Sequence, residues 1–131
     1  MFIRAADFEK LVSMLTKPRW LLHLEGACIL ASTVALYHAG HFRWWMFAAL
    51  LLAPDLAMLA YLANVKIGAA LYNLVHTEAG PILLLVVCVV VPLPVLQPYA
   101  LIWLAHLGMD RTLGYGLKYP TRFKDTHLQH V

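Results

Sequence analysis

Four long apolar segments dominate this sequence of 131 residues. They lie at about 20–37, 42–63, 68–91 and 95–109. Each approaches the ~20 residues that an α-helix needs to cross the hydrocarbon core of a bilayer. Because backbone groups in lipid must satisfy their own hydrogen bonds, such segments cross membranes as helices. The pattern therefore predicts an all-α integral membrane protein, a four-helix bundle in a single domain.

The composition excludes an ordinary soluble domain. Hydrophobic residues make up 62% of the chain and charged residues only 13%. In soluble domains about half of the residues are apolar and about a quarter are charged. The long interior is almost free of cations, so nucleic acid is not an expected partner. The bilayer itself is the expected environment.

The two ends of the chain differ from its interior. Phe8, Leu11, Val12 and Leu15 recur at helical spacing among charged residues, which predicts a short interfacial helix lying on the membrane surface. Residues 110–131 are polar and rich in turn residues, and they form a predicted C-terminal tail.

The distribution of Lys and Arg predicts the orientation. With four spans both termini share one side, and that side collects every Lys and Arg except Arg43. Since cations are retained on the inner side of the membrane, both termini are expected in the cytoplasm, with the chain in a bacterial inner membrane.

Polar residues cluster at one depth in this topology. The stretch "YNLVHTEAGP" opens the third span, and each of the other spans also carries an ionisable group in the cytoplasmic half: Glu25, Asp55, His106 and Asp110 join Asn73, His76 and Glu78. His106 and Asp110 are four residues apart and share a helix face. Ionisable residues inside a membrane usually mark a functional site.

Histidines and carboxylates from several bundle helices are typical of a metal site. A divalent metal ion is the expected cofactor, zinc or else iron or manganese. The expected ligands are His76, His106, Asp110, His127 and Asp125. The catalytic candidates are Glu25 as general base, Asp55, which could also complete the metal shell, and Arg111, which would hold an anionic part of the substrate. Asn73 and Thr77 are candidates for orienting the imidazoles.

Structural interpretations of the same residues stay open. His76 could be a neutral core histidine, and His106 with Asp110 could form an interfacial ion pair. Asp55 follows Pro54 and could cap a restarted helix. Glu25 could tie two helices together. The tail cations could reflect membrane orientation alone.

Several stretches resemble a known family. They are "LEG" at 24–26, "APDLAMLAYL" at 53–62, "GAALYNLVHTEAGP" at 68–81 and "AHLGMDRTLGYGLKYPTRFKDTHL" at 105–128. They resemble a bacterial family of small four-helix membrane proteins, domain-of-unknown-function family 4260, over nearly the whole chain after residue 20. The resemblance implies four spans and brings no activity. A looser similarity, in style, is to inner-membrane proteins described as metal-dependent hydrolases.

Two functions are therefore expected. The first is a membrane-embedded metal-dependent hydrolase that acts on a lipid or amphipathic substrate at the cytoplasmic leaflet. The alternative is a small proton, ion or ligand transport or binding protein without catalysis, although the outer halves of the spans are nearly devoid of polar residues. A homo-oligomer is compatible with either function.

Overall fold

The computed structural model describes residues 4–131, and helices make up most of that range. In chain order they are α1 (Ala5–Leu15), α2 (Pro18–Ala39), α3 (Trp44–Leu50), a 3₁₀ helix (Ala53–Leu62), α4 (Val65–His76), α5 (Ala79–Val90) and α6 (Gln97–Leu113). Short 3₁₀ turns lie at Pro94–Leu96 and His127–Gln129. No β-sheet occurs within residues 4–131. The all-α prediction is confirmed.

Within the described residues, three helical stretches are long and apolar enough to cross a membrane: Pro18–Ala39, Trp44–Leu62 and Val65–Val90. The side chains of Leu62 and Val89 are more than 80% exposed, as lipid-facing residues are. The fourth apolar segment is α6, which packs against α2 and α5. It continues to Leu113, so residues 110–113 belong to this helix rather than to the predicted tail.

Helix α1 buries none of its residues in the protein. Phe8, Leu11 and Leu15 are all exposed, the last at 52%. An apolar helix face left open in this way is what an interfacial helix would present to lipid.

Pro54 changes the geometry of the second span. Proline has no backbone N–H, so the α-helical pattern is interrupted there. The N–H of Asp55 donates to the carbonyl of Leu52 at 3.1 Å, a 3₁₀ bond, rather than to Leu51. The chain continues as a 3₁₀ helix for ten residues, far beyond the usual three or four. The Leu51 carbonyl is thereby released from the helix.

Two glycines let α2 and α6 approach backbone to backbone. A Cβ added to Gly108 would lie 2.6 Å from the backbone nitrogen of Leu30, and a Cβ on Gly26 would lie 2.5 Å from the Cβ of Arg111. Any larger side chain would separate the helices, because the nearest atoms belong largely to backbone. This crossing fixes which face of α2 meets α6.

One end of the bundle is filled by aromatic side chains. Tyr37 is completely buried and packs against Phe42, Trp44 and Phe47, with ring centroids 5.0–5.2 Å away. Its hydroxyl donates a 2.8 Å hydrogen bond to the carbonyl of Arg43. Below this aromatic end the core continues with apolar side chains from α6.

The opposite end is closed by residues 114–131, which we call the cap. Gly114, at φ +92°, ends α6 in the left-handed conformation that favours glycine. Lys118 then pairs with Thr126 in an antiparallel bridge, and Leu128 is buried. The C-terminal segment is therefore a folded lid on the polar end of the bundle.

Candidate metal centre

Four side chains from three helical elements converge beneath the cap. Asp55 comes from the 3₁₀ helix, His76 from the end of α4, and His106 and Asp110 from successive turns of α6. One ligand atom from each lies within 4.8 Å of all the others. His76 and His106 are fully buried, Asp110 nearly so, and the Asp55 side chain is 32% exposed. We call these four residues the His/Asp group.

Five of the six distances within the group fit a tetrahedral ion. The two Nε2 atoms are 3.2 Å apart. Asp55 Oδ1 lies 3.4 Å from each Nε2, and Asp110 Oδ2 lies 3.6 Å from that of His76 and 3.4 Å from that of His106. Zinc binds nitrogen and oxygen at about 2.0–2.2 Å, and a regular tetrahedron with such bonds has edges of about 3.3–3.6 Å. An octahedral ion at the same bond lengths would bring adjacent ligands to about 2.8–3.1 Å.

The imidazole of His76 is held in one orientation. Its Nδ1 lies 2.9 Å from the carbonyl oxygen of Tyr72. A carbonyl only accepts hydrogen bonds, so Nδ1 carries the proton and Nε2 presents a lone pair. The Tyr72 ring stacks on the imidazole at 3.7 Å and 9°. This arrangement orients a metal-binding histidine in the usual way.

His106 presents its Nε2 to the same point. Its Nδ1 is buried and faces the Leu51 carbonyl without reaching ordinary hydrogen-bond geometry. That carbonyl is the one released where Pro54 interrupts the second span. A proton on Nδ1 leaves the Nε2 lone pair directed into the group.

The group therefore assembles four electron-pair donors at short range. With both imidazoles neutral, no proton lies between the four atoms, and two carboxylates lie close together, that of Asp110 buried and that of Asp55 partly exposed. Buried negative charges without partners are costly. A divalent cation would remove this repulsion and make the group neutral. The His/Asp group thus has the donor set, spacing and burial to hold a metal ion.

A cavity of about 270 Å³ lies beside the His/Asp group. It is lined by Asp55, Met58, Tyr72, Asp110, Tyr115, Lys118 and Phe123. We call it the Lys118 cavity. Three elements of the bundle (the 3₁₀ helix, α4 and α6) and the cap meet around it, so it gives the carboxylates of the group an opening.

The side-chain amide of Asn73 anchors the cap above this cavity. Its Oδ1 accepts from the Lys118 backbone N–H at 2.6 Å, and its Nδ2 donates to the Lys118 carbonyl at 2.8 Å. The Lys118 amino group donates to the Phe123 carbonyl at 2.7 Å and lies 4.0 Å from the centroid of that ring. Burial lowers the pKa of Lys118, and the carboxylates of Asp110 and Asp55 act in the opposite direction.

The family model described as a domain of unknown function (DUF4260) matches residues 19–131, from the start of α2 to the end of the cap. The chain belongs to the DUF4260 family. No curated protein and no solved structure matches it, so the looser similarity to hydrolases finds no support. The family description carries no activity, and functional inference for this DUF4260 protein depends on the site itself.

Of the predicted ligands, the structure brings His76, His106 and Asp110 together with Asp55. His127 lies outside the group. Its Nδ1 accepts a hydrogen bond from the Leu117 N–H at 2.8 Å, so this imidazole holds the cap together. Burial, and then the Arg111 charge, lower the pKa of His127. The position of His127 in the sequence gave no sign of this local bond.

Asp125 also lies outside the His/Asp group. Its carboxylate contacts His130 at 2.6 Å and accepts a short hydrogen bond from Thr121, both within the cap. The hydrogen bond from His130, followed by that from Thr121, lowers the pKa of Asp125. Asp125 is therefore placed to stabilise a turn of the cap rather than to bind the ion.

Glu25 and Arg111 line a second cavity, of about 260 Å³, together with Glu78 and His127. The close Gly26–Arg111 approach turns Glu25 toward this side of α6, away from the His/Asp group. Arg111 is a buried residue, and its guanidinium donates to the carbonyls of Tyr115 and His76, at 2.8 and 3.0 Å. Neither residue lines the Lys118 cavity, and their roles as general base and substrate anchor stay predictions.

Sequence reasoning missed Tyr72 and Lys118 and misassigned Asn73. Tyr72 precedes His76 by four residues, so the helical period could have placed it on the same face. Asn73 was expected to orient an imidazole, but its amide binds the cap. No local signal links Lys118 to Asn73, because they are 45 residues apart in the chain.

Proposed function

We propose that this DUF4260 protein is a membrane-embedded metal-dependent hydrolase that acts on a lipid or amphipathic substrate at the cytoplasmic leaflet. The observation that carries the proposal is the His/Asp group, whose four lone pairs meet at tetrahedral spacing. Zinc is the preferred ion, because five of the six distances between the donor atoms suit four-coordinate zinc better than octahedral iron or manganese.

The Lys118 cavity supports catalysis over a purely structural metal. Structural zinc sites are usually closed, whereas catalytic ones stay accessible. Here Asp55 is the most exposed of the four ligands and lines the cavity together with Asp110. A bound divalent ion would supply a Lewis acid that polarises a substrate carbonyl or phosphoryl oxygen.

The roles of the surrounding residues follow from their positions. His76, held from behind by the Tyr72 carbonyl, and the buried His106 would fix the ion. Asp55, the residue of the group most open to the cavity, would give up its place on the ion to the substrate and then accept and release protons, because a catalytic zinc site keeps one position open. Met58 and Phe123 add apolar walls suited to the hydrocarbon part of an amphiphile. The folded cap would limit water around the reacting bond.

The transport alternative is less well supported. A proton or ion path needs polar groups through both halves of a membrane domain. In this chain the other half is filled by Tyr37, Leu101 and Ile102, each at most 2% exposed. Proton and zinc flux into liposomes that contain the protein is expected to stay at the background level of empty liposomes.

Metal content tests the proposal directly. The full-length protein is purified in detergent, supplied with zinc and then dialysed, and its bound metals are measured. We expect close to one zinc per chain in the wild type, and none in His76→Ala or His106→Ala. His38→Ala, at an exposed position of α2 near the aromatic end, should keep the zinc. A folded wild type that retains no divalent metal would overturn the proposal.

Activity is then measured with a panel of chromogenic carboxylic and phosphoric esters that carry short acyl chains. Hydrolysis is expected only for the zinc-loaded protein, and Asp55→Asn should reduce kcat by about 100-fold or more, as removal of a proton-transfer residue does. Zinc bound at full stoichiometry without turnover of any ester would favour a binding protein.

A further inference from the structure

The Lys118 cavity has an uneven balance of charge. Among the described residues that line it, Asp55, Asp110 and Lys118 are the charged ones. Both carboxylates belong to the His/Asp group, and a divalent ion there would offset them completely. Lys118 would then remain as a positive charge without a counter-charge in a confined space. An anion is the complement that such a cavity lacks.

Contacts within the protein hold Lys118 in one position. Two hydrogen bonds from the Asn73 side chain hold its backbone on both sides, through N–H and C=O. Its amino group lies over two aromatic rings, 4.0 Å from the Phe123 centroid and 4.9 Å from the Tyr72 centroid. One of the three ammonium donors is used by the Phe123 carbonyl. Two donors are left for a ligand.

Arg111 does not offer a comparable site. Its cavity also contains Glu25 and Glu78, so carboxylates already offset its charge there. Two of its nitrogens donate to backbone carbonyls. Lys118 is therefore the cation left available to an anionic ligand, whereas the sequence predicted Arg111 for that role.

We propose that Lys118 recognises an anionic oxygen group, a phosphate or a carboxylate, on the substrate that occupies the cavity between the cap and the metal ion. This inference rests on the proposed function, because the charge balance requires a bound divalent ion. It narrows the substrate class from amphiphiles in general to amphiphiles that carry an anionic headgroup.

The test uses full-length protein loaded with Co²⁺, whose visible absorption reports ligands near the ion. Inorganic phosphate and acetate are titrated into the wild type, Lys118→Met, Lys118→Gln and Lys118→Arg, and cobalt stoichiometry is measured for each. We expect phosphate affinity to fall at least about tenfold in the Met and Gln variants, the loss typical of one hydrogen bond to a charged group. The Arg variant should stay within a fewfold of the wild type.

Lys124→Met is the matched control, because Lys124 is an exposed cap lysine that does not line the cavity. It should bind phosphate as the wild type does. A short-chain phosphatidate is titrated in parallel, and tighter binding than that of inorganic phosphate would identify a lipid headgroup as the source of the anion. Equal affinities would identify a free phosphate group.

The outcomes separate the two proposals. If Lys118→Met and Lys118→Gln hold cobalt at full stoichiometry and bind phosphate as tightly as the wild type, the assignment of Lys118 is wrong and the metal centre stands. If the wild type takes up no cobalt, the proposed function fails, and this inference fails with it.

Discussion

The two ends of the bundle fill the space between their helices with different side chains, aromatic at one end and ionisable at the other. At the aromatic end Tyr37 fills the space between helices, and its hydroxyl is satisfied by a carbonyl six residues away. At the polar end the space is filled by imidazoles and carboxylates whose four converging atoms have no hydrogen atoms to share. The aromatic end is complete as a protein structure, whereas the polar end brings two carboxylates and two imidazoles together and, under the proposed function, is completed by an ion. The stability of the aromatic end should therefore not depend on a bound ion, whereas the stability of the polar end should.

Tyr37→Ala should cause the largest change in stability. Removing a fully buried aromatic ring typically costs about 3–5 kcal/mol. Thermal and denaturant unfolding in detergent would measure the loss, and the folded fraction should retain its zinc. Tyr37→Phe keeps the ring and loses only the bond to the Arg43 carbonyl, so it should cost about 1 kcal/mol. Loss of zinc from folded Tyr37→Ala would show that the two ends are not independent.

Removal of the metal should give the next largest effect. An ion present at a hundredfold excess over its Kd stabilises the folded state by about 3 kcal/mol. After chelation, hydrogen exchange is expected to accelerate in the ends of α4 and α6 near the His/Asp group and to stay unchanged in α3. His106→Ala should not respond to the chelator. Equal acceleration of hydrogen exchange at both ends would contradict the expectation that only the polar end depends on the ion.

Asn73→Ala should release the cap while leaving the ion in place. It removes two hydrogen bonds to Lys118, which together contribute about 1–2 kcal/mol. Limited proteolysis within residues 114–131 is expected to become faster, with zinc content unchanged. Asn64→Ala is the control, because Asn64 caps the opposite end of α4 by accepting from the Ile67 N–H. A proteolysis rate that rises equally in both variants would argue against a specific anchor.

Acidification should give the smallest effect, confined to the cap. Burial holds the pKa of His127 below its ordinary value of 6.5, so the unfolded chain binds the proton more readily than the folded one. The stabilisation is fully present above pH 6.5 and is lost as the pH falls through the folded pKa. Protonated Nδ1 cannot accept from Leu117, so the protection factor of that amide should decrease. His127→Asn, which keeps an acceptor without titrating, should flatten the response.

Periodicity and composition were sufficient for the helices of this chain. The length of the apolar segments predicted where the long helices lie. The four-residue spacing of His106 and Asp110 predicted that they share one helix face. His76 was predicted to lie near His106 and Asp110 because all three fall at a similar depth in the predicted membrane topology. Residues at one depth can meet when their helices pack together. Asp55 was found by the same argument, although the ten-residue 3₁₀ helix that carries it was not. Pro54 marks the interruption, but a proline does not specify how the chain continues.

Residues placed by tertiary contacts were beyond the reach of the sequence. The face of α2 that carries Glu25 is set by the crossing at Gly26 and Gly108, and small residues give no direction. His127 and Asp125 have the chemistry of ligands, yet hydrogen bonds within the cap occupy them. The pairing of Asn73 with Lys118 joins positions 45 residues apart. Such pairings depend on the whole fold and have no local signature.

The His/Asp group also sets an order of events during biogenesis. Its ligands are spread from position 55 to position 110, and half of them lie on α6, the last apolar helix to leave the ribosome. The three earlier apolar spans can enter the membrane without any ion. Under the proposed function, metal capture would therefore wait until the final span has been inserted. A nascent chain stalled before residue 106 would carry both an unfinished coordination sphere and an open end.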